Sequence, residues 1–293
     1  MWFCPKTYIF RLLIIEGTDQ MGVLIVYKND LQARRLAKEL SSALLARGIT
    51  VNSLESHQLK FNSSIPLDMV FVLGGDGTLL KTARYFASLN TPIMGVNLGT
   101  VGFLSSIEPR DLMEALDLLL QGKYEIKKRM MINVQLFRDG QGCLHQSIAL
   151  NDAVIKARVL HTIKINLRLD GTLYTTYQGD GVICATPTGS TAYSLSAGGP
   201  ILDPSVSALV ITPISPQFLS SRPLVIRSSA KLEFELDSDH VTYLNIDGEE
   251  EIPILKGDII RISRSPAVAR IVQLKPVSST EKVAYWIQQA EID

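Results

Sequence analysis

Cysteine is scarce in this chain, with three residues in 293, Cys4, Cys143 and Cys184, widely spaced and without a CxxC pair. That argues against a disulfide framework or a zinc knuckle and suits a reducing compartment. The four histidines, at 57, 145, 161 and 240, show no metal-ligand spacing. Neither sign of charge is in excess, because 29 Lys and Arg balance 29 Asp and Glu, so the basic surface of a nucleic-acid binder is not indicated. At 20% charged and 46% hydrophobic residues, the composition is that of a folded chain and not of a disordered one. No stretch approaches the run of about 18 apolar residues that a membrane span needs. Residues 1–15 are apolar, but Arg11 interrupts them, Glu16 ends them and no small-residue cleavage site follows. Residues 1–20 therefore read as an N-terminal extension or a misassigned start, and the protein as soluble and cytoplasmic.

What the chain does have is periodicity. From residue 21 to about Gly122, apolar runs of strand length alternate with helical spacing, the pattern of a sheet with crossover helices. Residues 23–27 precede a helix whose apolar face is Leu36, Ala37, Leu40, Leu44 and Leu45, ending at Gly48. Residues 69–73 precede a helix from about Leu79, with Leu80, Ala83, Phe86 and Ala87. Residues 93–96 precede a glycine-rich loop and a helix started by Pro109 and stopped by Gly122. Beyond Gly122 the period becomes two, at Ile132, Val134 and Leu136, then Ile163, Ile165, Leu167 and Leu169, then Leu232, Phe234 and Leu236, then Ile260 and Ile262. The expected fold class is α/β, with a doubly wound N-terminal α/β domain over 21–124 and a mostly antiparallel β domain over 125–275. A C-terminal segment, 276–293, returns to helical spacing and docks back, and the active site is expected in the cleft between the two domains.

Five segments stand out chemically. Gly74-Gly75-Asp76-Gly77-Thr78 falls between a strand and a helix, where free backbone N–H groups can hold phosphate oxygens. Asp76 is the informative residue there, since a carboxylate repels phosphate and must face a hydroxyl, a metal or a cation, unless it merely caps the helix. Neither GxxxxGK[ST] nor GxGxxG is matched. The loop over 97–103 follows the next strand and helps shape the same site if the strands are neighbours, or is a flexible loop. Further on, Gln178-Gly179-Asp180-Gly181 leads into a strand and then into a stretch carrying the hydroxyls of Thr186, Thr188, Ser190, Thr191, Ser194 and Ser196. Such density of small donors suits a sugar, an amide or a purine edge. No His or Lys within it could activate a serine, which disfavours a hydrolase. Asn151-Asp152 and Asp247-Gly248-Glu249 carry groups able to bond paired ribose hydroxyls, although such dipeptides also serve as turns.

Together these motifs, GGDGT at Gly74, NLGTVGFL from Asn97, Asn151-Asp152, GDG at Gly179 and TPTGSTAYSLSAGGP from Thr186, resemble the NAD kinase family of the bacterial type, from about residue 21 to the C-terminus. The resemblance implies transfer of the γ-phosphoryl of ATP, or of a phosphoryl from polyphosphate, to the 2′-hydroxyl of the adenosine ribose of NAD. It implies that Asp76 is the proton acceptor and that Asp76 and Gly77 contact the dinucleotide. Gly74, Gly75, Gly77 and Thr78 form the phosphate loop. Asn151 and Asp152 match an Asn-Glu pair of the family, with the shorter carboxylate here. Asp180, Thr191, Ala192, Tyr193, Ser194, Leu195 and Ser196 fall in the NAD surface, with His161, Gln178 and Glu249 as further candidates. A divalent cation such as Mg²⁺ is expected to be held mainly by the substrate phosphates, with no protein metal site. A homo-oligomer, dimer or tetramer, is implied, with no nucleic-acid or membrane partner. Two rivals remain open at this point: a lipid kinase, which shares GGDGT but needs a long apolar acceptor pocket, and a regulator that binds the dinucleotide without turnover.

Overall fold

The protein is described from a computed structural model, in which residues 21–59, 67–99, 104, 107–159 and 161–274 are described. The N-terminal extension 1–20, residues 100–103 of the second glycine loop and the docking segment 276–293 lie outside the described residues. Two compact units are present, one holding 21–82, 91–127 and 271–274, the other 83–90 and 128–270.

In the first unit the chain passes through β1 (Gly22–Tyr27), α1 (Leu31–Leu45), β2 (Thr50–Glu55), β3 (Met69–Gly74), the start of α2 (Asp76–Phe86), β4 (Ile93–Asn97) and α3 (Leu112–Leu120). The strands pair in parallel in the order β2-β1-β3-β4. β3 and β4 are buried along their whole length, which is why they read as unbroken apolar runs. Because β1 bonds β2 on one side and β3 on the other, the strand order reverses there. In such a sheet the ligand crevice lies outside the carboxyl ends of the strands at that reversal.

Local chemistry sets the helix ends. The Asp30 carboxylate accepts the Ala33 N–H at 2.7 Å and caps α1, which buries Ala33, Ala37, Leu40 and Leu44. Leu45 departs from its expected place on that face and is 60% exposed. One step past Leu44 turns it by about 100°, off the buried stripe. α2 also differs, starting at Asp76 and not at about Leu79. Gly77 and Thr78, read as loop, form its first turn, closed by the Leu79 N–H donating to the Gly75 carbonyl at 3.2 Å. Glycine's low helix propensity, a backbone-entropy cost of about 1 kcal/mol, hides this turn from a propensity reading.

The second unit contains β5 (Glu125–Arg138, from residue 128), β6 (Gly142–Ala149), β7 (Asp152–Ala157), β8 (Ile163–Leu169), β9 (Thr172–Gly179), β10 (Gly181–Ala185), α3's successor α4 (Tyr193–Ser196), β11 (Ala208–Ile214), β12 (Leu224–Arg227), β13 (Leu232–Leu236), β14 (Thr242–Ile246), β15 (Glu250–Ile254) and most of β16 (Ile259–Gln273). One antiparallel sheet has the order β12-β11-β10-β7-β14-β15, and the other contains β16-β13-β8-β9 with β5 beside β16 and β6 beside β5. Their inner faces share a core of Ile132, Val134, Leu136, Ile163, Ile165, Leu167, Leu232, Phe234, Ile260 and Ile262 from one sheet and Val182, Cys184, Leu209, Ile211, Leu244 and Ile246 from the other. These include nearly all the positions expected at period two, with Leu169 at the margin. The outer faces of β7, β10 and β11 are also covered, since Val154, Ile183, Ala185, Val210 and Ile214 pack with Ala197 and Leu202. The hydroxyl-rich segment is thereby held against a sheet face and is not a free loop.

Candidate active site

In the first unit, β3 ends at Gly74, Gly75 makes the turn, and Asp76 is the first residue of α2. The turn is tight: a Cβ on Gly74 would meet Thr78 Oγ1 at 2.7 Å, so glycine is required there. Asp76 is half-buried and Gly77 is exposed. Gly74 lies opposite Asn97 in the β3–β4 register, and the Leu98 N–H donates to the Gly74 carbonyl at 3.3 Å. The start of the second glycine loop is therefore beside the first, with buried Asn97 accepting the Gly99 N–H at 3.2 Å. The result is a set of first-turn N–H groups and one carboxylate at the carboxyl edge of a parallel sheet, a geometry suited to an anionic group lying beside a hydrogen-bond acceptor.

In the second unit the focus is Leu150-Asn151-Asp152, leading into β7. The Asp247 carboxylate accepts three backbone N–H groups, from Leu150 (2.8 Å), Asn151 (2.7 Å) and Asp152 (3.0 Å), and the Asp247 N–H donates to the Asp152 carbonyl at 3.1 Å. From the other side, the Thr186 hydroxyl donates to the Leu150 carbonyl at 2.5 Å and the Thr186 N–H to the Asn151 carbonyl at 2.8 Å. Gly189 rests on the same peptide, so a Cβ there would stand 2.1 Å from the Asn151 carbonyl oxygen. The backbone of this dipeptide is thus fully engaged, while the Asn151 side chain is half-exposed.

The hydroxyl-rich segment corrects part of its sequence reading. Thr186, Thr188, Ser190 and Ser194 are buried and do not line an open surface. The Ser190 hydroxyl donates to the Pro187 carbonyl (2.7 Å) and accepts the Leu202 N–H (3.0 Å), while Ser194 pairs with Thr212 at 2.8 Å. Their side chains shape the turn. Those left toward solvent are Thr191 and Ala192, both half-buried, and Tyr193, Leu195 and Ser196, which are exposed. Lys156, which the sequence reading missed, reaches the Tyr193 hydroxyl at 3.1 Å from β7. Nothing in its sequence context marks it, because the contact spans 37 residues.

The remaining candidates are spread over the same unit. His161 is exposed and stacks on His240, with ring centroids 4.3 Å apart and planes 11° from parallel. Gln178 and Asp180 are half-buried at the β9–β10 junction, where the Asp180 N–H donates to the Ile214 carbonyl at 3.0 Å. Asp247 does not reach outward for a ribose as its motif suggested. It sits at φ 52° beside Gly248 at φ 71°, and this turn sends its carboxylate inward while leaving Glu249 exposed.

Burial raises both inner carboxyls. Desolvation and, after it, the neighbouring Asp247 push the Asp152 carboxyl up to about 7. Burial also raises Asp247, but the N–H donors of Leu150, Asp152 and Asn151 and the positive charge of Arg84 oppose that rise. Both inner carboxyls are thus held above the ordinary carboxylate range, with burial the larger cause in each. Arg84 itself is tied to Glu250 and to the Ser147 hydroxyl (2.8 Å), and Glu250 also meets the His145 ring at 2.9 Å. Among the described residues, no three His, Cys, Asp or Glu side chains are grouped to hold a metal ion. None of their helices is long and apolar enough to cross a membrane. A groove of about 400 Å³ lined by Leu31, Arg35, Leu36 and Pro109 contains none of the expected site residues.

A parallel α/β unit whose glycine turn carries a carboxylate, followed in the chain by an antiparallel β unit rich in polar turns, is an arrangement suited to a nucleotide-dependent phosphotransferase. Residues 62–124 match the ATP-NAD kinase N-terminal domain, and residues 150–274 match the ATP-NAD kinase C-terminal domain. The NAD kinase of Geotalea daltonii is 42% identical over 250 residues, covering 81% of this chain and 87% of that protein. That of Heliobacterium modesticaldum is 40% identical over 252 residues, covering 83% and 88%. Among solved structures, yeast NADH kinase complexed with NADH aligns with a TM-score of 0.78 at 26% identity, over 91% of this chain and 86% of that one. An NAD kinase from Archaeoglobus fulgidus in complex with ATP aligns with a TM-score of 0.73 at 26% identity, over 92% and 99%. The chain belongs to the NAD kinase family, and the expected pairing of an N-terminal α/β domain with an antiparallel β domain is the architecture of these relatives.

Proposed function

We propose that the protein phosphorylates NAD to NADP, moving the γ-phosphoryl of ATP, or a phosphoryl of polyphosphate, onto the 2′-hydroxyl of the adenosine ribose. The observation that carries this reading is the β3–α2 turn, which puts a carboxylate and first-turn N–H groups side by side in a chain of this family. Asp76 accepts the hydroxyl proton, and Asp76 with Gly77 contacts the acceptor. The N–H groups of Gly74, Gly75, Gly77 and Thr78 face the phosphates. Asn151, Asp152, His161, Gln178, Asp180, Thr191, Ala192, Tyr193, Ser194, Leu195, Ser196 and Glu249 bind NAD, Ser194 through its backbone because its hydroxyl is committed to Thr212.

Phosphoryl transfer runs through a loose transition state, so the protein's work is alignment and neutralisation of charge, with the proton leaving late. A carboxylate suffices as the base. A divalent cation, when bound with the nucleotide, offsets phosphate charge, and in this reading its ligands are phosphate oxygens. The free thiols of Cys143 and Cys184 support a cytoplasmic setting. The β unit has strand edges at which copies of the chain could pair into a dimer or tetramer, which sedimentation measures directly.

The test is to incubate the purified protein with ATP, Mg²⁺ and NAD and to measure NADP with an NADP-specific dehydrogenase, with NADH, diacylglycerol and sphingosine as parallel acceptors and polyphosphate as a parallel donor. NADP formation is the expected result. A product from a lipid acceptor alone, or dinucleotide binding with no turnover, would replace this reading with one of its two rivals.

A further inference from the structure

Asp247 and Thr186 touch neither end of the dinucleotide in the reading above, yet they hold the peptide on which part of it depends. Three consecutive N–H groups, of Leu150, Asn151 and Asp152, converge on one buried carboxylate, and the two carbonyls of Leu150 and Asn151 are taken by one threonine. The two clamps come from far apart in the chain, 97 residues from Leu150 for Asp247 and 36 for Thr186. Every polar backbone group of the Asn151 peptide is thus satisfied from inside the unit, leaving the side chain as the part free to meet a ligand. The turn that presents Asp247 is itself pinned, with the Gly248 N–H donating to Asn245 Oδ1 at 2.8 Å and the Glu249 N–H to the Ile246 carbonyl at 3.1 Å.

We propose that Asp247 and Thr186 are positioning residues for the acceptor dinucleotide, a two-sided clamp that fixes the direction in which Asn151 presents its amide. This rests on the reading of Asn151 as an NAD contact. A carboxylate is needed on one side because both of its oxygens are used as acceptors: Oδ1 takes the N–H groups of Asn151 and Asp152, and Oδ2 takes that of Leu150. An amide of the same shape would turn an NH₂ toward the Leu150 N–H and leave that buried donor without an acceptor. On the other side, valine would keep the shape of Thr186 but abandon the Leu150 carbonyl and the Gly189 N–H, which Thr186 Oγ1 accepts at 3.1 Å.

The experiment compares Asn151→Ala, Asp247→Asn, Thr186→Val and the double variant Asn151→Ala/Asp247→Asn in the full-length protein, reading KM and kcat for NAD, KM for ATP and thermal unfolding. The clamp predicts that Asp247→Asn raises KM for NAD by about tenfold with KM for ATP unchanged. The double variant should be no worse than Asn151→Ala, since both changes remove the same contact. Lowered thermal stability with an unaltered KM for NAD would make Asp247 a folding residue only and overturn the inference. If Asp247→Asn does not fold, Thr186→Val carries the same test from the opposite side, with the same expected and contrary outcomes. Should Asn151→Ala itself leave KM for NAD unchanged, the reading of Asn151 fails and takes the clamp with it, a result distinguishable from failure of the clamp alone.

Discussion

The two polar sites are built by opposite means. The β3–α2 turn is local: Gly74 to Thr78 supply the bend, the carboxylate and the first-turn N–H groups from neighbours in sequence. The Asn151 site is assembled from Leu150–Asp152, Thr186–Gly189 and Asp247, three segments brought together only by the order of strands in one sheet. A local site is fragile at one residue and robust to its surroundings. A site of assembled segments depends on residues that carry no chemistry of their own.

The most severe break of the comparison falls on the local side. Asp76→Asn should lower kcat by about 10²–10⁴-fold with NAD affinity largely kept, read by steady-state kinetics and by calorimetric titration of NAD. Near-normal turnover would take Asp76 out of the mechanism. On the assembled side, Gly189→Ala forces a methyl against the Asn151 carbonyl, 2.1 Å away, and should cost about 3 kcal/mol of stability in urea unfolding. An unchanged midpoint would show that the segment yields easily and that the clamp is loose.

Acidity sharpens the contrast by a smaller amount. The folded Asp152 carboxyl lies at about 7, against an ordinary 3.8 in the unfolded chain, so between those values the native state holds a proton that the unfolded state has released. Its contribution to stability is therefore largest at acid pH, falls as pH rises from about 4 to about 7, and levels above that. Unfolding measured at about pH 5 and about pH 7 should show the wild type losing about 2 kcal/mol relative to Asp152→Asn, which lacks this slope. Parallel pH profiles for the two proteins would refute a buried, proton-holding Asp152. The smallest effect belongs to Asp30→Ala, which removes the α1 cap and should lower stability by about 1 kcal/mol while leaving kcat intact. A loss of turnover in that variant would mean that α1 matters to the chemistry in a way its cap does not explain.

The legible parts of the chain were those that depend on neighbours. Buried runs at 69–73 and 93–96 announced parallel strands, and period two at Ile163, Ile165 and Leu167 announced a half-buried antiparallel one. The glycine turn with Asp76 was visible because a carboxylate is anomalous in a phosphate loop. Less legible was the start of α2, where glycine disguised a first helical turn. The hydroxyls of Ser190 and Ser194 looked like ligand donors, since sequence counts donors but does not say which are consumed by Leu202 or Thr212. Lys156 beside Tyr193 and His240 against His161 left no trace, because each contact joins elements far apart in the chain.

From its residues alone this chain specified helices, strands, the two kinds of sheet and one chemically unusual turn, since all of these follow from propensity and pattern over a few positions. Which way the Asp247 carboxylate points, which hydroxyls remain available and how far burial raises the Asp152 carboxyl were settled by packing. Those properties depend on desolvation and on hydrogen bonds between distant segments, and neither exists until the strands have paired.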